Sequence, residues 1–233
     1  MALPIMQVPE FSTKIPSTGK QIKYRPFLVK EEKILLMALE GKDRDEISGA
    51  IINLIKSCVL TSNVDVSKLA TFDIEYLFLK IRSKSVGEVV ELNIGHSAGE
   101  CAAKTLVEVN LDQVTVDRKP EDGKVMLSDK VGVMLRYPSI SDAQGIEEGQ
   151  DYGLKIIQNC IEYVFDENTV YNEFTAEELD AWIGSLNKEQ MGKIAKFFNE
   201  MPKLSHPIKW KCASCGKEDS VKIEGLQSFF MLD

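Results

Sequence analysis

The sequence predicts an α+β protein: helical bundle segments combined with antiparallel β-hairpins that form a zinc-ribbon-like module. Three observations predict it. Apolar residues recur at helical spacing in three segments before residue 87, whereas 88–94 reads as a strand and 105–111 alternates apolar with polar residues. A Cys-x-x-Cys-Gly turn, Cys212 to Gly216, lies between two short strand-like stretches.

Along the chain, residues 1–30 read as an extended arm, because Pro4, Pro9, Pro16, Gly19 and Pro26 break any helix. Only short pieces such as Gln21 to Tyr24 could pair, and the arm either packs along its own domain or reaches into a neighbour. A helical segment follows over 31–87. Glu31 and Glu32 suit the positive end of a first helix dipole. Asp43 can cap a second helix carrying Ile47, Ile51, Leu54, Ile55 and Cys58. The third, about Thr71 to Lys84, sets Ile74, Leu77, Phe78 and Ile81 on one face.

The segment 88–138 reads as β-hairpins: Glu88 to Ile94 with Thr105 to Leu111 around a small-residue turn, then Lys124 to Leu127 with Val131 to Tyr137. The acidic segment 139–202 is expected to be helical. Leu154, Ile157, Ile161, Val164 and Phe165 make one face, and capping boxes start at Thr175 and Asn187. Trp182, Phe197 and Phe198 lie on core stripes. Residues 203–233 form the CxxC hairpin and an apolar tail, Gly225 to Leu232, which either packs back on its own domain or anchors in a partner. No repeat of fixed period is present.

Charge is unevenly spread. From Phe11 to Lys30 there are five basic residues and no acid, while Ser141 to Ser185 holds eleven acids against Lys155 alone. The acidic block is a solvated helical face or an electrostatically steered protein-docking surface, and it argues against a general nucleic-acid binder. The longest apolar run, Ile34 to Leu39, is far short of a membrane span. A charged-then-apolar secretory leader is missing, so the protein is expected to stay where it is made.

Five cysteines at irregular spacing make a poor disulfide framework. Cys212 and Cys215 supply half of a tetrahedral zinc site, and His96 and Cys101 on the turn of the earlier hairpin are the candidate other half. His206 is an alternative ligand, and free thiols packed at a turn are the bland reading. A redox role is disfavoured, because the pair sits in a hairpin turn rather than at a helix N-terminus. Phosphate loops, Gly-x-Ser-x-Gly and His-Glu-x-x-His are missing. Glu147-Glu148 and Glu177-Glu178 read as solvated surface, so no enzymatic activity is expected.

Three stretches carry a family resemblance: Arg25-Pro26-Phe27-Leu28-Val29-Lys30-Glu31-Glu32 and onward to Ala38; Phe72 to Leu79 running into Arg82 to Glu88; and Cys212-x-x-Cys215-Gly216-Lys217 through Glu224 to Phe230. In this order they resemble the baseplate hub subunits of T-even-type contractile-tailed phages. The resemblance implies a non-enzymatic part in baseplate hub assembly, as assembly factor or structural component, through binding other baseplate hub proteins. It implies the host cytoplasm during assembly and the virion tail baseplate as locations. It also implies a cysteine pair in the first hairpin, where this chain has His96 and Cys101. One structural Zn²⁺ is the expected cofactor, with neither membrane nor nucleic acid as partner. The rival reading is a zinc-ribbon adaptor in transcription or on nucleic acid, with Lys209, Lys211, Lys217 and Lys222 as its basic face.

Overall fold

The computed structural model describes residues 6–41, 43–96, 101, 103–143, 146 and 151–226. They divide into two compact units: residues up to 66 with 72–119 and 203 onward, and residues 67–71 with 120–202. Helices and antiparallel strands alternate through both, which is the mixed α+β class expected.

In the first unit, β1 (Phe11–Lys14) and β2 (Gln21–Tyr24) form an antiparallel hairpin. Ile15, Ile22 and Tyr24 are buried, so this part of the arm packs along its own unit rather than standing free. Its anchor is Asp73, fully buried in a helix, whose carboxylate accepts from the Ser17 N–H at 2.9 Å and from the Ser17 hydroxyl. Helix α1 (Val29–Gly41) starts two residues earlier than the acidic pair suggested. The Asp43 carboxylate accepts from the Glu46 N–H at 3.0 Å, capping α2 (Arg44–Cys58).

Helix α3 (Thr71–Ser85) presents Leu77, Phe78 and Ile81 to the core, all at most 3% exposed. Two hairpin strands follow, β3 (Val89–Gly95) and β4 (Lys104–Asn110), paired from Val89↔Asn110 to Gly95↔Lys104. Lys80, Ser83 and Lys84 of α3 tie the end of this hairpin down. Lys80 donates to the Asp112 carbonyl at 2.7 Å, while Ser83 and Lys84 reach the Asp112 carboxylate at 2.9 and 2.6 Å. Burial pushes the Lys80 ammonium below its ordinary value, and the Asp112 carbonyl together with that of Leu111 at 3.4 Å keeps it satisfied. The chain then lays down β5 (Thr115–Val116), which joins the later C-terminal hairpin.

The second unit begins with β6 (Lys124–Met126) and β7 (Gly132–Leu135), then the short α4 (Ile140–Ala143) and α5 (Tyr152–Asn159). Ile161, Val164 and Phe165, expected on a helix face, instead lie in strand β8 (Ile161–Phe165), paired with β7 and with β9 (Val170–Tyr171). The helix ends at Cys160, and the β-branched and aromatic run Ile-Glu-Tyr-Val-Phe prefers the pleated sheet. Helices α6 (Ala176–Gly184) and α7 (Lys188–Asn199) each carry a reciprocal capping box, at Thr175/Glu178 and Asn187/Gln190. They bury Leu179, Ile183, Ile194 and Phe197 against Val133, Leu135, Ile161 and Val164. Trp182 and Phe198 pack partly buried on that core, and Glu147 and Glu148 lie outside the described residues.

Each unit contains the same lock. After β2, Arg25 pairs bidentately with Glu31, six residues on, at 3.0 and 2.8 Å. After β7, Arg136 pairs with Asp142, also six on, at 2.6 Å twice. Both arginines also donate a side-chain N–H to a carbonyl in the last turn of a helix, Ser57 at 2.9 Å and Asn159 at 2.6 Å. Both give their backbone N–H to the carbonyl of the buried cysteine that follows, Cys58 or Cys160, at 2.9 Å. Both acids cap the intervening helix, from Leu28 N–H at 2.6 Å and Ser139 N–H at 2.7 Å. The flanking bridges correspond too, Tyr24↔Val59 and Leu135↔Ile161.

Back in the first unit, β10 (Leu204–Lys211) and β11 (Glu218–Glu224) close the chain as a hairpin from Ser205↔Glu224 to Lys211↔Glu218. Leu226 packs partly buried on the hairpin core, and the rest of the expected tail, 227–233, lies outside the described residues.

Candidate metal centre

The two hairpins of the first unit share one core. Leu92 and Ile94 of β3 and Val109 of β4 pack with Ile208 and Trp210 of β10 and Ile223 of β11, all at most 8% exposed. Joining β5 to β10, through Leu204↔Val116 and Ser205↔Thr115, holds the second hairpin beside the first. The two turns therefore end up together. The Ala213 N–H donates to Thr105 Oγ1 of β4 at 3.1 Å, a direct link from the CxxC turn to the first hairpin.

The Cys-x-x-Cys-Gly turn is set by backbone hydrogen bonds from Cys212 N–H to the Lys217 carbonyl and from Gly216 N–H to the Cys212 carbonyl, at 2.9 and 3.0 Å. Gly216 takes φ of 72°, a left-handed conformation that glycine adopts without steric penalty. This turn aims Cys212 inward, 2% exposed, and leaves Cys215 at the surface.

All four residues expected as ligands meet here. His96, Cys101, Cys212 and Cys215 each place a ligand atom within 4.8 Å of the others. Cys101 Sγ is 3.8 Å from Cys212 Sγ, and Cys215 Sγ is 3.2 Å from His96 Nε2. Tetrahedral zinc with ordinary bond lengths separates two sulfurs by about 3.8 Å and sulfur from nitrogen by about 3.5 Å. These two separations lie near that spacing, and the remaining pairs fall within 4.8 Å. Residues 97–100 and 102, between β3 and β4 in the chain, lie outside the described residues. His206, the alternative ligand, sits within β10 and is not in the cluster.

The electrostatics suit a cation. The N–H of Cys215 chiefly, then that of Ser214 together with His96, pulls the Cys212 thiol down to about 6 against the effect of burial. Hydrogen bonding to Cys212 in turn raises His96 above its ordinary value. The cluster favours negative charge on sulfur with positive charge beside it, a demand that a divalent cation meets. By contrast, burial pushes the Cys58 and Cys160 thiols up to about 11 and about 12. Those two are core residues.

Two residues that sequence reasoning missed complete the surroundings. The Trp210 ring lies 4.9 Å from the His96 ring, tilted by 41°. Its cross-strand partner Asp219 places Oδ2 3.4 Å from His96 Nδ1. The hairpin register, Trp210 opposite Asp219, was the available signal. Of the lysines that would make a basic face, Lys222 is held in ion pairs to Asp117 at 3.1 Å and Glu224 at 2.7 Å.

Fold and site thus define an α+β protein whose paired hairpins carry a Cys₃His cluster able to hold a metal ion. The model of a family described as T4 bacteriophage base plate protein matches residues 8–231, and the chain belongs to that family. Membership implies a place in the virion tail baseplate, in company with other phage baseplate proteins. No curated protein and no solved structure matches the chain.

Proposed function

We propose that the protein is a non-enzymatic component of the baseplate hub, acting in hub assembly by binding other hub proteins, with one structural Zn²⁺ fixing its paired hairpins. Cys101, Cys212 and Cys215 supply sulfur and His96 supplies a ring nitrogen. Four protein ligands make a closed site, the type that stabilises a fold rather than activating water. The metal links positions 111 residues apart and holds the two hairpin turns as one rigid piece. Assembly takes place in the host cytoplasm.

The observation that carries the protein-binding reading is α1. Only Glu31 is buried in this helix, while Val29, Ile34, Leu36, Met37 and Leu39 are 46–81% exposed. From Ile34 to Leu39 this helix is apolar on every side, a surface that is ordinarily buried, and here the missing cover is a partner in the baseplate. Among the described residues no helix is long and apolar enough to cross a membrane.

Native mass spectrometry of the chain co-expressed with candidate hub proteins tests both parts. One zinc per chain and a defined heteromeric complex are expected. A metal-free monomer that ignores every hub protein overturns the reading.

A further inference from the structure

We infer that Asp219 is a positioning residue for the metal centre: its carboxylate fixes the His96 ring with the proton on Nδ1 and Nε2 presented to the metal. This rests on the zinc reading above and goes beyond the four ligands.

The two ring nitrogens of His96 face different neighbours. Nδ1 lies 3.4 Å from Asp219 Oδ2, and Nε2 lies 3.2 Å from Cys215 Sγ. A carboxylate accepts hydrogen bonds and cannot donate them, so the nitrogen facing it carries the proton. The other nitrogen then has its lone pair free for a cation. The imidazole side chain is 6% exposed, against 28% for Asp219, so water has little access to compete for the ring.

The hairpin supplies both halves of this clamp from one rung. Trp210 and Asp219 are directly opposite in the β10–β11 register, so their side chains leave the same face. Trp210 limits the tilt of the imidazole with its ring, 4.9 Å away, and Asp219 limits rotation about the ring's own axis. His96 stands at the end of the other hairpin, just after β3. The clamp therefore reaches across hairpins and orients the ligand before metal arrives. Partners of this kind hold a ligating histidine in one tautomer and orientation, and removing them commonly weakens metal binding about 10–100-fold.

The test uses the full-length chain, with zinc affinity measured by competition against a chromophoric chelator. Asp219→Ala is expected to lower affinity about 10–100-fold. Asp219→Asn, whose amide oxygen still accepts from Nδ1–H, should retain most of it. Circular dichroism of both metal-free variants should overlay wild type. Ring ¹⁵N spectra of the zinc-loaded wild type give a readout that a merely structural role would not move. Only two histidines are present, and His96 should show a protonated Nδ1 and a metal-shifted Nε2. Zinc on Nδ1, or an Asp219→Ala affinity equal to wild type, overturns the inference while leaving the zinc reading intact. A wild-type chain that takes up no zinc overturns both.

Discussion

Arg136 grips both carboxylate oxygens of Asp142, Nη1 to Oδ2 and Nη2 to Oδ1, each at 2.6 Å. The same carboxylate accepts from the Ser139 N–H and hydroxyl, both at 2.7 Å, so a helix start, a strand end and a helix end converge on one acid. Arg25 and Glu31 repeat the arrangement in the other unit.

Replacing Asp142 with Asn should destabilise the second unit by about 2 kcal/mol, because Arg136 loses its charged partner while its other contacts stay in place. Burial would raise this carboxyl, but hydrogen bonds from Arg136 and Ser139 outweigh it and hold the group below its ordinary value. A carboxyl depressed on folding adds stability that is fully present above its unfolded value, about 3.9, and is lost as pH falls through its folded value. Stability measured by denaturant melts from about pH 7 down to about pH 2 should therefore fall less below about pH 4 for Asp142→Asn than for wild type. Identical acid profiles would count against the lock.

Zinc should raise the unfolding temperature of the wild type. A free concentration about 100 times Kd stabilises by about 2.7 kcal/mol. Cys212→Ser should abolish that response, whereas Cys160→Ser, in the other unit and away from the cluster, should keep one zinc per chain. Loss of zinc in both, read by metal analysis, would show that the cluster is not the site.

Ile34→Glu and Met37→Glu put charges on side chains that are 59% and 62% exposed. Stability should change by less than about 0.5 kcal/mol. Affinity for a baseplate partner should fall about 30-fold or more, as expected for the centre of an apolar interface. Unchanged binding in a pull-down titration would move the contact away from α1.

Gly123 adopts φ of 81°, and a Cβ there would run into the Leu135 carbonyl, which is backbone and cannot yield. Gly123→Ala should destabilise the second unit by about 3 kcal/mol. A change under about 1 kcal/mol in chemical denaturation would mean the β6–β7 end relaxes readily.

Much of this architecture was legible in the sequence. The periodicity around Ile74, Leu77 and Ile81 is a local property, and so are the boxes Thr175/Glu178 and Asn187/Gln190, which the backbone satisfies within one turn. The stretch Ile161–Phe165 was less legible, because a short apolar run carries no period that separates strand from helix until a neighbour pairs with it. The twin lock was hidden for another reason. Its arginine and cysteine are 33 residues apart in one unit and 24 in the other (25 to 58, 136 to 160), so no fixed repeat marks it.

At the Cys₃His cluster the sequence by itself determined the chemistry: three thiols and an imidazole, with a turn after Cys212 that lets two sulfurs point one way. Tertiary structure decided the rest. Adding β5 to β10 stacks the hairpins and brings Cys101 within 3.8 Å of Cys212, and the Trp210↔Asp219 rung sets the face that meets His96. Ligand type is a property of single residues, whereas ligand geometry depends on strand register and packing between segments more than a hundred residues apart.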